Sequence, residues 1–236
     1  MPAAPLRIAQ PEVMDDPSLS RQRHEHALRG LERINILSRS AASFLPSLRR
    51  AAMGKQSIRI LDVATGSGDV AVALARAGQR MGVDVSLGLC DISPTALEIA
   101  AARAARAGIS ARTIRLDATN GALPEDAAGR YDLAICSLFL HHLDAEACAR
   151  VLALMAKASR VVAANDLRRC HTGTALAWIA SRVLTRSDVV HTDAVISAKA
   201  AWTINEFRGM AWRAGLQSAS VKHVFPCRML LTWEGR

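Results

Sequence analysis

From Ser57 onward, short apolar runs alternate with longer amphipathic segments, the arrangement that builds βαβ units around a parallel sheet. The apolar runs predict strands over Arg59–Val63, Ser86–Asp91, Ala111–Leu116, Tyr131–Ser137 and Arg160–Ala164. Between them, helical spacing predicts Asp69–Arg80, Pro94–Ala107 and Ala145–Lys157. Pro94 in a first turn and Gly108 just past a last turn sit where a well-formed helix places them. After Asp166 the pattern predicts a helix over Thr174–Leu184, a polar segment, and a helix over Thr203–Ala214 stopped by Gly215. Ala219–Val224 and Arg228–Trp233 predict two last strands joined by a tight turn at Pro226.

Ahead of this region, Pro2, Pro5, Pro11 and Pro17 make residues 1–17 a leader that cannot propagate a helix and is expected to be mobile. Ser18 or Ser20 can cap a helix whose apolar positions Ala27, Leu28, Leu31, Ile34 and Leu37 lie on one face. A further helical turn or two runs from Ala41 to Leu48. The expected organisation is a leader (1–17), a helical cover (18–50) and one α/β domain (55–236).

Composition narrows the class. Of 236 residues, 50% are apolar, enough to bury one substantial core. No run of 18 apolar residues escapes interruption by Arg, Asp or Gly, which predicts no membrane span. The start lacks the pattern of a secretory signal, so a cytoplasmic protein is expected. Five cysteines without a C-x-x-C pair read as buried thiols. The net charge of +9 raises the question of nucleic acid, but the arginines are scattered singly and aromatics make up 4%, which weighs against that partner.

The segment Asp62-Val63-Ala64-Thr65-Gly66-Ser67-Gly68-Asp69 places a Gly-rich turn between the first strand and first helix of the sheet, where folds of this kind bind ligands. Gly66 and Gly68 let the backbone approach a ligand closely. Gly66 to Ala71 also fits the dinucleotide pattern G-x-G-x-x-G/A. Against a pyrophosphate stand Asp62 and Asp69, whose carboxylates would repel it and would suit a cationic amino-acid moiety instead. A Tyr and Lys pair of the dehydrogenase kind is also missing, Tyr131 being the one tyrosine.

Asp62 to Gly68 resembles the first motif of class I S-adenosylmethionine-dependent methyltransferases, with Ala64 in place of the usual first glycine. Asp91, in Leu89-Cys90-Asp91-Ile92-Ser93-Pro94, is similar to that family's ribose-binding acidic residue, and Asp117-Ala118 to its adenine-contacting pair. Cys136-Ser137-Leu138-Phe139-Leu140-His141-His142-Leu143 resembles the segment lining the methionine side. The resemblance implies S-adenosylmethionine as cofactor, held by Asp62, Ala64, Gly66, Gly68, Asp91, Ile92, Asp117, Ala118 and Ser137. It implies a Rossmann-like, doubly wound sheet of seven strands, order 3-2-1-4-5-7-6, with the last pair antiparallel and helices in an N-terminal cover. More narrowly, Met14 to Pro17, Leu28 to Asn35, Ser137 to Leu143 and Asn165 to Arg169 resemble small bacterial methyltransferases distantly similar to quinone-ring C-methyltransferases. Their frequent proximity to type III polyketide synthases implies a phenolic or pyrone acceptor.

Methyl transfer from a sulfonium needs alignment more than a dedicated catalyst. A phenol, with a free pKa of about 10, would be helped by a neutral histidine. His142 and His141 are the candidates; being adjacent, they are expected to point different ways, and His142 is preferred as base. Both could instead cap a helix or bond the backbone, Asp62 could cap its own loop, Asp69 could be a helix N-cap and Asp91 could cap the Pro94 helix. Asp166 or Arg168 could orient an acceptor, or form a salt bridge fixing the flap from His171. Trp178, Ile179 and Val183 could line an acceptor pocket or pack in a core or a homodimer contact. His24 and His26 lie two apart and His171, His191 and His223 are isolated, so no metal centre is expected. The partner expected is a small molecule. Alternatives are an RNA methyltransferase and a non-catalytic S-adenosylmethionine-binding protein, although an Asn/Asp-Pro-Pro-Tyr motif for methylating a base amine is not found.

Overall fold

The computed structural model describes residues 4–16, 18–125 and 131–235; residues 1–3 and 17 of the leader lie outside them. The strands are β1 (Ser57–Val63), β2 (Asp84–Asp91), β3 (Ala111–Arg115), β4 (Tyr131–Ser137), β5 (Ser159–Leu167), β6 (Ser220–Val224) and β7 (Arg228–Glu234). They form one sheet in the order β3-β2-β1-β4-β5-β7-β6, as expected. β7 pairs antiparallel with both β5 and β6, and the other pairs are parallel.

Alternation along β1 decides how the two faces are filled. Ile58 and Ile60 join a core with Phe44, Leu48 and Leu74, supplied by α3 (Leu45–Ala52), its preceding residue and α4 (Asp69–Arg80). Leu61 and Val63 join another with Leu152, Met155 and Phe207 from α6 (Ala145–Ala158) and α9 (Ile204–Arg213). Helix α5 (Pro94–Arg106) begins at Ser93, whose hydroxyl accepts the Ala96 N–H, with Pro94 in its first turn. Asp144 caps α6 in the same way, and Thr203 and Glu206 form a reciprocal capping box on α9.

The cover consists of α1 (Arg21–Leu37), the single turn α2 (Ser40–Ser43), α7 (His171–Leu184) and α8 (Asp188–Ala200). Helix α8 corrects the expectation of a polar segment there. Its Val189, Val190, Thr192, Val195 and Ile196 are β-branched and lower the local helical signal. Ser187 nonetheless caps it, and Val189 and Val190 pack with Ala27 of α1. A Cβ on Gly30 would lie 2.7 Å from Thr185 Oγ1, so the approach of α1 to the α7–α8 link needs glycine there.

The leader, expected to be mobile, packs on this cover between Arg7 and Met14. The Val13 and Met14 N–H groups donate to the Asp193 carboxylate at 2.8 and 3.0 Å. Arg7 lies over the Trp202 ring and donates to the carbonyls of Ala200, His141 and Leu143. No helix among the described residues is long and apolar enough to cross a membrane.

Candidate functional site

Strand order reverses between β1 and β4, and a cleft of about 1080 Å³ opens at the carboxyl ends of β1, β2, β4 and β5. The cover forms its other wall. At one end is the loop after β1. Ala64, Gly66 and Gly68 have φ of 56°, 53° and 70°. A Cβ on Gly68 would lie 2.9 Å from the Ala100 Cβ, so this glycine also sets how closely the loop meets α5. Ala64 holds the left-handed conformation without glycine's freedom, which locates some strain where the resemblance would have placed a glycine.

The loop's own amides are largely committed. Gly66 N–H donates to Asp91 Oδ2 at 2.8 Å, Gly68 N–H to the Thr65 carbonyl and Thr65 N–H to the Cys90 carbonyl. Asp91, at the end of β2, accepts the Ser93 N–H on its other oxygen, so Ser93 rather than Asp91 is the cap of α5. Burial raises the Asp91 carboxyl above its ordinary range, partly offset by the Ser93 and Gly66 N–H groups. Asp62 is 2% exposed and accepts from Thr65 Oγ1 at 2.7 Å. Burial pushes its pKa up to about 7, opposed by Thr65 and aided by the nearby charges of Asp69 and Asp91. Asp69 is the first residue of α4 rather than its N-cap, and accepts from Ser67 Oγ and from Asn35 Nδ2 of the cover.

Asp117 and Ala118 follow β3 into the cleft wall. The Thr119 hydroxyl and N–H both donate to Asp117 and hold its carboxyl below the ordinary range. Ile92 and Ser137 also line the cleft. Leu138 has a φ of 56°, and Ser137 Oγ is buried without a hydrogen-bond partner among the described residues. A buried hydroxyl facing a cleft in this way is suited to a ligand.

At the other end, a 3-10 turn over Leu140–His142 carries both histidines. The expectation that they point apart is corrected: their ring centroids are 4.3 Å apart, and both face Glu12 of the leader. Successive residues of so tight a turn do not take opposite sides as in a strand. His141 Nε2 lies 3.6 Å from Glu12 Oε1 and His142 Nε2 lies 3.7 Å from Glu12 Oε2. Behind His141, Asp166 Oδ1 meets Nδ1 at 2.6 Å and Oδ2 accepts the His141 N–H at 2.9 Å. Burial alone would lower the His141 pKa, but Asp166 and Glu12 outweigh it and carry it up to about 10. Asp166 and Glu12 thus favour the protonated form of His141, which weighs against it as a base.

Asp166 is fully buried and serves His141, so it does not reach an acceptor. Arg168 lines the cleft, and its Nε is buried without a hydrogen-bond partner among the described residues. Arg228 also lines the cleft, bonded to Ser40 Oγ and Ser38 Oγ, and burial pushes it down to about 10. Helix α7 turns Gly173, Ala177, Ala180 and Leu184 to the cleft, a helical phase that leaves Trp178, Ile179 and Val183 exposed outside it. The acceptor-pocket expectation for those three is thereby corrected. Sequence reasoning missed Glu12, 129 positions before His141, because no local pattern links them. Glu12, His141 and His142 each offer a ligand atom within 4.8 Å of the others, which corrects the expectation that no metal-ligand group exists.

The family described as a methyltransferase domain matches residues 60–162, from the middle of β1 into β5. That match covers less than half of the chain. The chain is similar to the release factor glutamine methyltransferase of Agrobacterium fabrum, 38% identical over 96 residues. That match covers 39% of this chain and 30% of the relative, so the chain spans about a third of the length of the curated protein it matches. Among solved structures, a methyltransferase from Aquifex aeolicus shares the fold with a TM-score of 0.60 and 13% identity, over 92% of this chain and 98% of that one. Human N-acetylserotonin methyltransferase bound to S-adenosylmethionine also gives 0.60, with 16% identity over 92% of this chain and 57% of that one.

The residues lining the cleft fit S-adenosylmethionine. The buried Asp62 has one neutral donor, so a cationic ammonium would complete it. Each Asp91 oxygen keeps acceptor capacity beyond its one amide and can take a ribose hydroxyl. With Gly66 N–H committed to Asp91, and Asp62, Asp69 and Asp91 side by side, the loop is poorly suited to a pyrophosphate.

Proposed function

We propose that the protein transfers a methyl group from S-adenosylmethionine to an oxygen or carbon of a small-molecule acceptor, of the phenolic or polyketide-derived class. One observation carries this reading. A single cleft has the three carboxylates of the cofactor end at one extreme, and His142, Arg168 and the small-residue face of α7 at the other. Its volume of about 1080 Å³ exceeds what one drug-sized ligand commonly fills, and suits two ligands held together.

When bound, the cofactor supplies a sulfonium-activated methyl group. Asp62 would neutralise its ammonium, Asp91 would hold its ribose, and Asp117, Ala118 and Ile92 would flank its adenine. His142 takes the acceptor's proton as the new bond forms. Arg168 faces the same space with unused donor capacity and would orient a phenolate or carboxylate. Cover helices α1 and α7 exclude water from the reacting atoms. The relative named for glutamine methylation does not extend that activity here, since Ser137-Leu138-Phe139-Leu140 follows β4 where an Asn/Asp-Pro-Pro-Tyr motif for nitrogen would be expected.

A methyl-transfer assay against a panel of phenols and pyrones, read by mass spectrometry, tests this. Wild type should yield products heavier by one methyl group. His142→Gln should lower kcat by about a hundredfold while leaving cofactor binding within about twofold. Transfer to RNA or to a glutamine amide, with none to the panel, would refute the reading.

A further inference from the structure

We propose that Glu12, His141 and His142 form a binding site for one divalent transition-metal ion, of the borderline kind that imidazole and carboxylate share, such as zinc. Asp193 of α8 accepts the N–H groups of Val13 and Met14, and this clasp seats Glu12 over the 3-10 turn that carries both histidines. The Glu12 carboxylate then spans the two imidazoles, 3.6 Å from one Nε2 and 3.7 Å from the other.

Bonds of about 2.1 Å to a tetrahedral ion put neighbouring ligand atoms about 3.4 Å apart. The two Glu12–imidazole spacings need to contract by only a few tenths of an ångström, and all three ligand atoms lie within 4.8 Å of one another. The surroundings match what such centres use. Asp166 engages His141 Nδ1 and the His141 backbone N–H together, which fixes the ring with Nε2 toward Glu12, where a bound ion would displace the Nε2 proton. Ser197 Oγ donates to Glu12 Oε1 from behind. One carboxylate inside the site and one behind it balance a double positive charge in a place too buried to hold unbalanced charge cheaply.

All three ligands line the acceptor end of the cleft, so the fourth position opens toward the substrate. Resting on the function proposed above, an acceptor oxygen would occupy that position as its conjugate base, its proton released to solvent because the ion lowers the acceptor's pKa. With the ion bound His142 serves as a ligand, and the base role given to it above belongs to the ion-free protein, while the cofactor end of the cleft keeps its role.

The test uses full-length protein stripped with a chelator and titrated calorimetrically with zinc alone, alongside S-adenosylmethionine alone. One zinc per chain is expected, with affinity reduced at least tenfold in Glu12→Gln and in His142→Gln, and cofactor affinity unchanged in both. Cobalt substituted into wild type should give ligand-field absorption without a thiolate charge-transfer band. No stoichiometric zinc binding, wild-type affinity in both variants, or a thiolate band pointing to Cys170 and Cys227 would each overturn the site. Because cofactor binding is measured separately, a missing zinc isotherm rejects the ion site alone, whereas a missing S-adenosylmethionine isotherm rejects the proposed function.

Discussion

Asp62 ties cofactor affinity to pH and sets it against stability. Burial carries its carboxyl from 3.8 up to about 7 in the folded chain. A group raised in this way is protonated in the fold while ionised in the unfolded chain, so stability falls as pH rises from about 4 to about 7. The difference corresponds to about 4 kcal/mol at and above neutral pH, an upper bound since Thr65 relaxes toward any replacement. Asp62→Asn should therefore melt at a higher temperature than wild type near pH 7.5. The ionised form, however, is the one that can hold a cationic ammonium. With a pKa of about 7, about one molecule in ten is ionised near pH 6 and about three-quarters near pH 7.5, so cofactor affinity should rise about eightfold across that interval. Isothermal titration with S-adenosylmethionine in matched buffers reads this directly. Asp62→Asn should bind more weakly near pH 7.5 and lose the pH slope. Equal wild-type affinity at the two pH values, or a variant that keeps both slope and affinity, would refute the reasoning.

Two further outcomes follow from neighbouring strain and charge. Ala64→Gly removes a Cβ at a φ of 56°, and should raise stability by about 1 kcal/mol or less, once glycine's extra freedom in the unfolded chain is counted; urea melts giving a loss instead would deny the strain. Asp166→Asn breaks the buried partner of His141 and should cost about 3–5 kcal/mol near neutral pH. Because His141 is raised from 6.5 to about 10, the pair's contribution is whole below about 6.5 and fades as pH climbs through about 10. Wild-type stability should thus decline across that alkaline range, while the variant's should not.

The sheet was legible because both its periods are clean. Two-residue alternation in β1 and proline-started, glycine-stopped helices leave little freedom of assignment, and the strand order followed from the family resemblance. That the loop after β1 and the end of β2 border one cleft was legible for a related reason, since Asp62, Gly66 and Gly68 lie in one loop and Asp91 ends the adjacent strand. Helix α8 was not, because five β-branched residues in thirteen hide a helix that tertiary packing holds in place. The acceptor end was the least legible. Glu12 reaches His142 with the help of the Asp193 clasp, a contact between residues 180 positions apart, and the orientation of His141 depends on Asp166, 25 positions away. The face of α7 that meets the cleft depended on a helical phase that apolar residues on both sides left ambiguous.

Arg103 of α5 joins two parts of the molecule that otherwise belong to different layers. Its guanidinium grips both oxygens of Glu32 in α1 at 2.6 and 2.7 Å, while its Nε donates to the Ser67 carbonyl in the glycine loop. Lifting α1 away would strip this arginine of its carboxylate and slacken the turn beneath it in the same motion. The cover helix and the glycine turn are thus tied through one guanidinium, so a change at either is transmitted to the other.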